Sequence, residues 1–388
     1  MAPHEGNHCP ESLLSYDSVK KDCENRLGCT PCKWQIDAAL ATVSRQDAIV
    51  ISATGSGKTL PMLIPLLYLR NALVIIISPL TVLCAQFQEL VLKHNFRGIA
   101  VTNDNASDVS KVCAAYRERH EYEYDVIVIS PELAAGDPRF TSQWRNERLR
   151  KRSISVIIDE AHCVPQWGSS FRSGYLDVIQ LPFLFPPDTS LYLTSATLPS
   201  ADLKQLISLT GVSKASSVVI HRSNERPNVH ITVQMIRHRV NSYEDLNFLM
   251  PSDLTVDSPH LPHGQFIVFC LTRAETERVA LFMRAKLPKQ HQEKVMWFHA
   301  GMTGKHREKC IDLLKSGKMW GFSATIAGGL GADISNLPTV VAYRVPNQKG
   351  GFCQLMQEFG RAARSPEAEG LAVLLAEPGY FDSIKRER

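Results

Sequence analysis

Asp47-Ala48-Ile49-Val50-Ile51-Ser52 runs directly into Ala53-Thr54-Gly55-Ser56-Gly57-Lys58-Thr59. The first half is a β-branched apolar run of strand length, and the second is a glycine-rich turn that ends in a lysine and a hydroxyl. Gly55 and Gly57 let the backbone fold around a polyphosphate with its N–H groups pointing inward, and the N-terminus of a following helix adds partial positive charge. In that arrangement Thr54, Gly55, Ser56 and Gly57 cradle phosphate, Lys58 reaches the β- and γ-phosphates, and the Thr59 hydroxyl ligates Mg2+. Ser52 stands where the strict eight-residue pattern has glycine, but the strand–loop–helix context supplies what the text lacks. Pro61 fits the first turn of the helix, whereas Pro65 should kink it.

Working outward, similar apolar runs recur between helical stretches at Ala72–Ser78, Asp125–Ser130, Ile154–Asp159 and Ser190–Ser195. A second series follows at Gln265–Cys270, Val295–Phe298, Trp320–Thr325, Thr339–Tyr343 and Leu371–Ala376. Near-continuous apolar strands alternating with helices indicate parallel sheets covered on both faces. The fold class is therefore α/β, with two parallel-sheet lobes in tandem. We place a polar, loosely ordered N-terminal segment at 1–25, a first lobe at 26–212 and a second at 213–388. Gly211, a serine-rich stretch and Pro227 interrupt the pattern at the joint. Residues 241–264, with several prolines, read as a surface excursion.

The strand Ile154–Asp159 ends in Asp159-Glu160-Ala161-His162. A carboxylate at the end of a buried strand can hold Mg2+, and Glu160 beside it can orient or deprotonate a water. Arg361 and Arg364 are three apart, so on a helix they share a face, and two guanidinium forks can grip a γ-phosphate.

Composition sets the limits. The 388 residues are 44% apolar and 21% charged, an ordinary globular balance that excludes wholesale disorder. The formal net charge of +4 permits a nucleic-acid partner only through local patches. The most apolar window, Leu60–Leu80, is interrupted by Pro61, Pro65, Arg70 and Asn71, so no membrane span is expected, and no secretory signal is read at the start. Ten scattered cysteines fit reduced thiols, and the lone Cys29-Thr30-Pro31-Cys32 is not a closed four-ligand set, so no zinc is expected. The basic stretch Arg139–Arg152 is either a solvated helix face or a phosphate-contact patch.

Taken together, these motifs resemble a superfamily 2 helicase, and more narrowly a RecQ-like DNA helicase. The narrower resemblance rests on Asp159-Glu160-Ala161-His162-Cys163-Val164-Pro165-Gln166-Trp167-Gly168-Ser169-Ser170-Phe171-Arg172, which is similar to a DEAH motif running into an aromatic-rich loop. The resemblance implies two RecA-like lobes with an ATP cleft between them. It implies that Gln35 reads adenine and that Gln357, in Gln357-Glu358-Phe359-Gly360-Arg361-Ala362-Ala363-Arg364, belongs to the nucleotide site with Arg361 and Arg364 as arginine fingers. Ser78-Pro79 and Ser130-Pro131-Glu132 resemble segments that track a DNA backbone, Ser195-Ala196-Thr197 a coupling motif, and Arg226-Pro227-Asn228 a bridge between lobes. Arg273, His299 and Thr325 fall in further core motifs that the resemblance assigns to nucleic acid. Trp167, Phe171 and Arg172 could stack on bases and grip phosphate, or the two aromatics could simply pack in a core.

The pattern departs from the family in places. Ser169 and Ser170 replace its usual His and Asp, and Ile334-Ser335 replaces Lys-Pro. The family's zinc-binding and winged-helix region has no counterpart after Arg364, so the expectation is a helicase core. What the resemblance implies is an ATP- and Mg2+-dependent 3′-to-5′ DNA helicase or translocase acting in recombination or repair. Its partner would be single-stranded or tailed duplex DNA, with no membrane, in the nucleus of a eukaryote or otherwise in the cytoplasm; protein partners are not indicated. The competing readings are an RNA helicase and a non-catalytic helicase-like binding protein.

Overall fold

The computed structural model describes residues 14–79, 81–102, 112, 123–167, 177–212, 216–251, 254–255, 257–258, 260–326, 337–346, 350–363, 365 and 367–381. The chain divides into two compact units, Met1–Asn224 and Glu225–Arg388.

The first unit is built on β1 (Ala48–Ile51), β2 (Ala72–Ile77), β3 (Gly98–Val101), β4 (Val126–Ile129), β5 (Ser153–Ile158), β6 (Ser190–Ser195) and β7 (Val218–His221). Their order is β3-β4-β2-β5-β6-β1-β7, with every neighbouring pair parallel. The second unit carries β8 (Val229–Met235), β9 (Phe266–Cys270), β10 (Val295–Phe298), β11 (Gly321–Thr325), β12 (Thr339–Tyr343) and β13 (Gly370–Ala376). These form a second all-parallel sheet in the order β10-β11-β9-β12-β13-β8.

Both faces of each sheet are covered, which is why the central strands read as unbroken apolar runs. In β2, Leu73, Ile75 and Ile77 enter one core while Val74 and Ile76 enter the core on the opposite face. In β9, Ile267 and Phe269 face one way, and Phe266, Val268 and Cys270 the other. Because the strands of a sheet all run the same way, the segments that follow them emerge at one edge, where α/β proteins place their sites.

All ten strands expected from the sequence are present, and three more join them: β3, β7 and β8. Each of the three lies at the end of a sheet. In β7 every second residue is exposed, and in β8 most are, so Val219, Ile231 and Val233 lie at the surface and the apolar run is broken.

The strand β7 moves the domain boundary. It pairs with β1 from Ala48↔Val218 to Ile51↔His221, so residues after 212 still belong to the first sheet, and the division falls at Asn224/Glu225. The N-terminal segment also needs correction. Tyr16–Leu27 is a helix capped by the Ser15 hydroxyl, and Val19, Cys23 and Leu27 bury one stripe of it. Likewise 241–264 is no mere surface excursion: Tyr243, Leu246, Leu249, Met250 and Leu261 fill one face of the second sheet. The basic stretch Arg139–Arg152 is partly structural, since buried Arg152 donates to the carbonyls of Asn71, Ala72 and Tyr124 and Arg139 pairs with Asp137. No helix among the described residues is long and apolar enough to cross a membrane.

The pairing of β7 carries a test. A fragment spanning 14–224 is expected to melt at a higher temperature than one spanning 14–212, because the shorter one leaves the edge of β1 unpaired and uncovers apolar side chains beneath Val218 and Ile220. Equal melting temperatures by circular dichroism would contradict the assignment of β7 to the first unit.

Candidate active site

In the first unit the phosphate loop connects β1 to a short helix, Leu60–Leu63. Gly55 and Gly57 have φ of 83° and 81°, the left-handed conformation that glycine adopts without steric cost. A Cβ on Gly57 would also lie 2.6 Å from Gln35 Nε2. The Lys58 ammonium donates to the carbonyls of Ser52 (2.8 Å) and Ala53 (2.9 Å), curling the loop around its own lysine. The Ser56 hydroxyl oxygen is buried and has no hydrogen-bond partner among the described residues. The helix expected after the loop is two short ones, Leu60–Leu63 and Pro65–Tyr68, broken where Pro65 was expected to kink it. A single turn contributes little dipole, so attraction for anions at this loop falls to the inward N–H groups and Lys58.

Gln35 sits in the first turn of the helix Lys33–Val43. Its Oε1 accepts from the Cys32 N–H at 2.7 Å, and its Nε2 donates to the carbonyls of Gly57 (3.0 Å) and Ser56 (3.3 Å). The residue that the resemblance assigns to adenine is thus in contact with the phosphate loop itself.

Asp159 follows β5 and is buried, and the Ser78 hydroxyl at the end of β2 donates to its Oδ2 at 3.3 Å. Burial, and then the adjacent Glu160, push the Asp159 carboxyl well above its usual range, while Lys58 pulls it down. The loop lysine and the strand-end carboxylate, far apart in sequence, therefore feel one another. Glu160 has φ of 49°, a strained conformation for a residue with a side chain.

His162 ties this strand end to the next. Its Nδ1 lies 2.9 Å from Ser195 Oγ and 3.2 Å from Glu160 Oε2. Ser195 Oγ in turn donates to the Thr197 carbonyl at 2.8 Å. Burial opposes a charge on the imidazole, but Cys163 and Glu160 outweigh it and hold His162 above its ordinary value. Because burial raises the Cys163 thiol and keeps it neutral, Glu160 is the partner that counts.

The residues assigned to a DNA track are less exposed than that role suggests. Ser78, Pro79, Ser130 and Pro131 are buried, Glu132 is half-buried, and the Ser78 hydroxyl belongs to Asp159. A nucleic-acid contact at these turns would have to use main-chain groups. Trp167 ends the helix Cys163–Trp167; its side chain, and all of Phe171 and Arg172, lie outside the described residues.

In the second unit, Arg273 opens the helix Arg273–Ala285, which the Thr272 hydroxyl caps. His299 is buried; its Nδ1 accepts from the Gly301 N–H at 3.2 Å, so its Nε2 carries the proton and donates to Glu277 at 3.1 Å. A Cβ on Gly301 would meet both His299 Nδ1 and an Arg273 guanidinium nitrogen at 3.2 and 3.3 Å, so the structure gathers Arg273, His299 and Gly301 at one corner. Glu277 was missed from sequence; the available signal was its place four residues after Arg273 on one helix face. Thr325 ends β11, half-buried.

The arginine pair does not sit as expected. The helix Gly351–Phe359 stops before it, with Gly360 as its cap, so Arg361 lies in a turn and a shared helical face is ruled out. Ala362 pairs with Leu337, just ahead of β12, and Gly370 opens β13. Buried Arg361 therefore lies where strands begin, whereas His299 and Thr325 follow the strands' opposite ends. Arg364 lies outside the described residues. Gln357 and Glu358 are buried in the helix. Among the described residues there is no cluster of three or more His, Cys, Asp or Glu side chains arranged to hold a metal.

Two family models match this chain: a DEAD/DEAH box helicase over residues 32–206, and a helicase conserved C-terminal domain over 252–366. The ATP-dependent DNA helicase hus2/rqh1 of Schizosaccharomyces pombe is 26% identical, matching 91% of this chain and 26% of that protein. The ATP-dependent DNA helicase RecQ of Haemophilus influenzae is 27% identical over 97% of this chain and 54% of its own length. This chain thus spans only about a quarter and about half of these relatives. Among solved structures, the DUF1998 helicase MrfA bound to DNA and AMPPNP shares the fold, with a TM-score of 0.71, 18% identity, and coverage of 97% of this chain and 52% of that one.

Glu358 provides a test of how this unit is charged. Burial pushes its carboxyl up to about 7, with a hydrogen bond from Gln354 pulling the other way. An acid raised on folding costs stability in full above its folded value, and the cost fades as pH falls towards its unfolded value. Glu358→Gln is therefore expected to be more stable than the native chain at pH 8, by on the order of 2–3 kcal/mol, with the two converging near pH 4. Denaturant titrations across that range check it; a gap that stays constant with pH would refute the assignment.

Proposed function

We propose that this chain, a member of the RecQ-like DEAD/DEAH box helicases, is an ATP-hydrolysing motor that moves 3′ to 5′ on single-stranded DNA. The observation that carries the reading is the convergence of Lys58, Asp159 and Glu160, with His162 joining them to Ser195.

In this reading the N–H groups of Thr54–Gly57 and the Lys58 ammonium bind the β- and γ-phosphates, Lys58 exchanging its loop carbonyls for phosphate oxygens. Asp159 and Thr59 are the residues that would hold Mg2+. The donor set fits: a hydroxyl and a buried carboxylate are hard oxygen ligands, and a carboxylate made costly by burial gains from a cation. The metal, when bound, supplies neutralisation of the phosphate charge. Glu160 orients the attacking water and accepts its proton, held in place by His162. The His162–Ser195 bond passes a change at Glu160 to the end of β6. Gln35 and Gln357 complete the nucleotide site. Arg361 and Arg364 are the arginine fingers in this reading. Such a finger contributes about 10³–10⁵-fold in rate.

Arg273, His299 and Thr325, with Trp167, Phe171 and Arg172, are the groups we assign to the DNA strand. DNA over RNA rests on the relatives and on the aromatic-rich stretch after His162. A role in recombination or repair is part of the same proposal and rests on the family resemblance.

Lys58→Ala is expected to abolish DNA-stimulated phosphate release while leaving the circular dichroism spectrum unchanged; undiminished turnover would refute the phosphate-site assignment. Strand displacement is expected on a 3′-tailed duplex and not on a 5′-tailed one. The reverse polarity, or stimulation by RNA in preference to DNA, would overturn the substrate assignment.

A further inference from the structure

The segment Arg226-Pro227-Asn228, expected to bridge lobes, makes a set of hydrogen bonds within the second unit. It enters β8, and its side chains reach across the second unit to the turn that follows the helix Gly351–Phe359. Arg226 Nη2 donates to the carbonyls of Ala362 (3.1 Å) and Ala363 (2.6 Å). Asn228 Nδ2 lies within hydrogen-bond distance of the same Ala363 carbonyl (2.8 Å) and of two more, those of Ser365 (3.0 Å) and Ala368 (2.8 Å). Arg226 Nε reaches Asn228 Oδ1 at 3.4 Å, and the Asn228 carbonyl accepts from the Gly370 N–H at 3.0 Å.

These contacts answer a mechanical problem. The helix ends at Phe359, so Arg361 is not held by a helical frame. The turn beyond it is unfavourable by itself: Ala363 has φ of 39°, a conformation that costs a residue with a Cβ about 1–2 kcal/mol. The turn also gathers several carbonyl dipoles around one point. Such an arrangement persists only where its surroundings over-determine it. A guanidinium and a carboxamide are suited to the task, because both present several N–H donors in a plane.

We propose that Arg226 and Asn228 are positioning residues: they hold the carbonyls of Ala362, Ala363, Ser365 and Ala368 in place, and so fix where Arg361 presents its guanidinium. The proposal rests on the reading of Arg361 as a group that acts on the γ-phosphate. Neither residue is among those assigned above to the nucleotide. Their effect is to hold a charge in register with a transferring phosphoryl group, where a displacement of about 1 Å can cost about 10²-fold in rate.

The experiment compares Asn228→Ala, Arg226→Ala, Arg226→Lys, Arg361→Ala and the double variant Arg361→Ala/Asn228→Ala in the full chain. The readouts are DNA-stimulated ATPase kcat and KM, affinity for a fluorescent ATP analogue, and thermal midpoint. Asn228→Ala is expected to lower kcat by about 10²-fold, leaving KM and nucleotide affinity near native. Arg226→Lys, which keeps a donor, is expected to recover part of the rate lost in Arg226→Ala. In single-turnover measurements, adding Asn228→Ala to Arg361→Ala is expected to cost nothing further, since the group being positioned is gone. A native kcat in Asn228→Ala beside a crippled Arg361→Ala overturns the proposal alone, as does a loss that adds in full to that of Arg361→Ala. Native turnover in Arg361→Ala overturns the finger assignment and the proposal with it. Should Asn228→Ala not fold, the Arg226→Ala and Arg226→Lys pair decides: equal losses in both overturn it, and a rate restored by lysine supports it.

Discussion

A carboxylate withdrawn from water at the end of β5 is the constraint around which the first unit is arranged. Asp159 is costly to ionise where it sits, and the groups that make its charge tolerable come from elsewhere in the chain. Lys58 arrives from the loop after β1 and the Ser78 hydroxyl from the end of β2. Only a sheet whose strands all point the same way delivers three such groups to one edge. The unbroken apolar runs of β1, β2 and β5 therefore serve the chemistry as directly as the polar residues that cap them.

The second unit separates its roles along the strands. Arg273 and His299 gather where β9 and β10 finish, whereas Arg361 lies where β12 and β13 start. On the proposed assignments, the group for phosphate and the groups for a nucleic-acid strand thus lie at opposite ends of one sheet. Such a layer passes displacement from one end to the other without bending, because its interior is close-packed.

Much of this was legible in the sequence, and the exceptions share a cause. Most of the ten strands read from the sequence announce themselves because burial on both faces favours apolar residues along their length. The strands β7 and β8 did not, because an edge strand has a wet side and its pattern dissolves into the surrounding loop. The phosphate loop was readable since glycine and lysine are needed there for stated reasons, and Pro65 broke the helix where its missing N–H requires. The arginine pair misled, because a spacing of three signals a helical face only if the helix continues, and this one stops at Phe359. The hydrogen bonds from the Gln35 amide to the loop and from the Arg226 and Asn228 side chains to the carbonyls of Ala362, Ala363, Ser365 and Ala368 join residues 21 to 140 positions apart, and no local spacing encodes them.

Gln35 has two N–H groups and one oxygen, and both N–H groups already serve the carbonyls of Ser56 and Gly57. A purine docking against this amide finds a spare lone pair on Oε1 for its own donor. It can satisfy its acceptor only by evicting a carbonyl of the loop. If Gln35 reads a base as proposed, recognition of that base and the curvature of the loop compete for the same two protons, and a ligand that lacks the ring leaves the loop as it was.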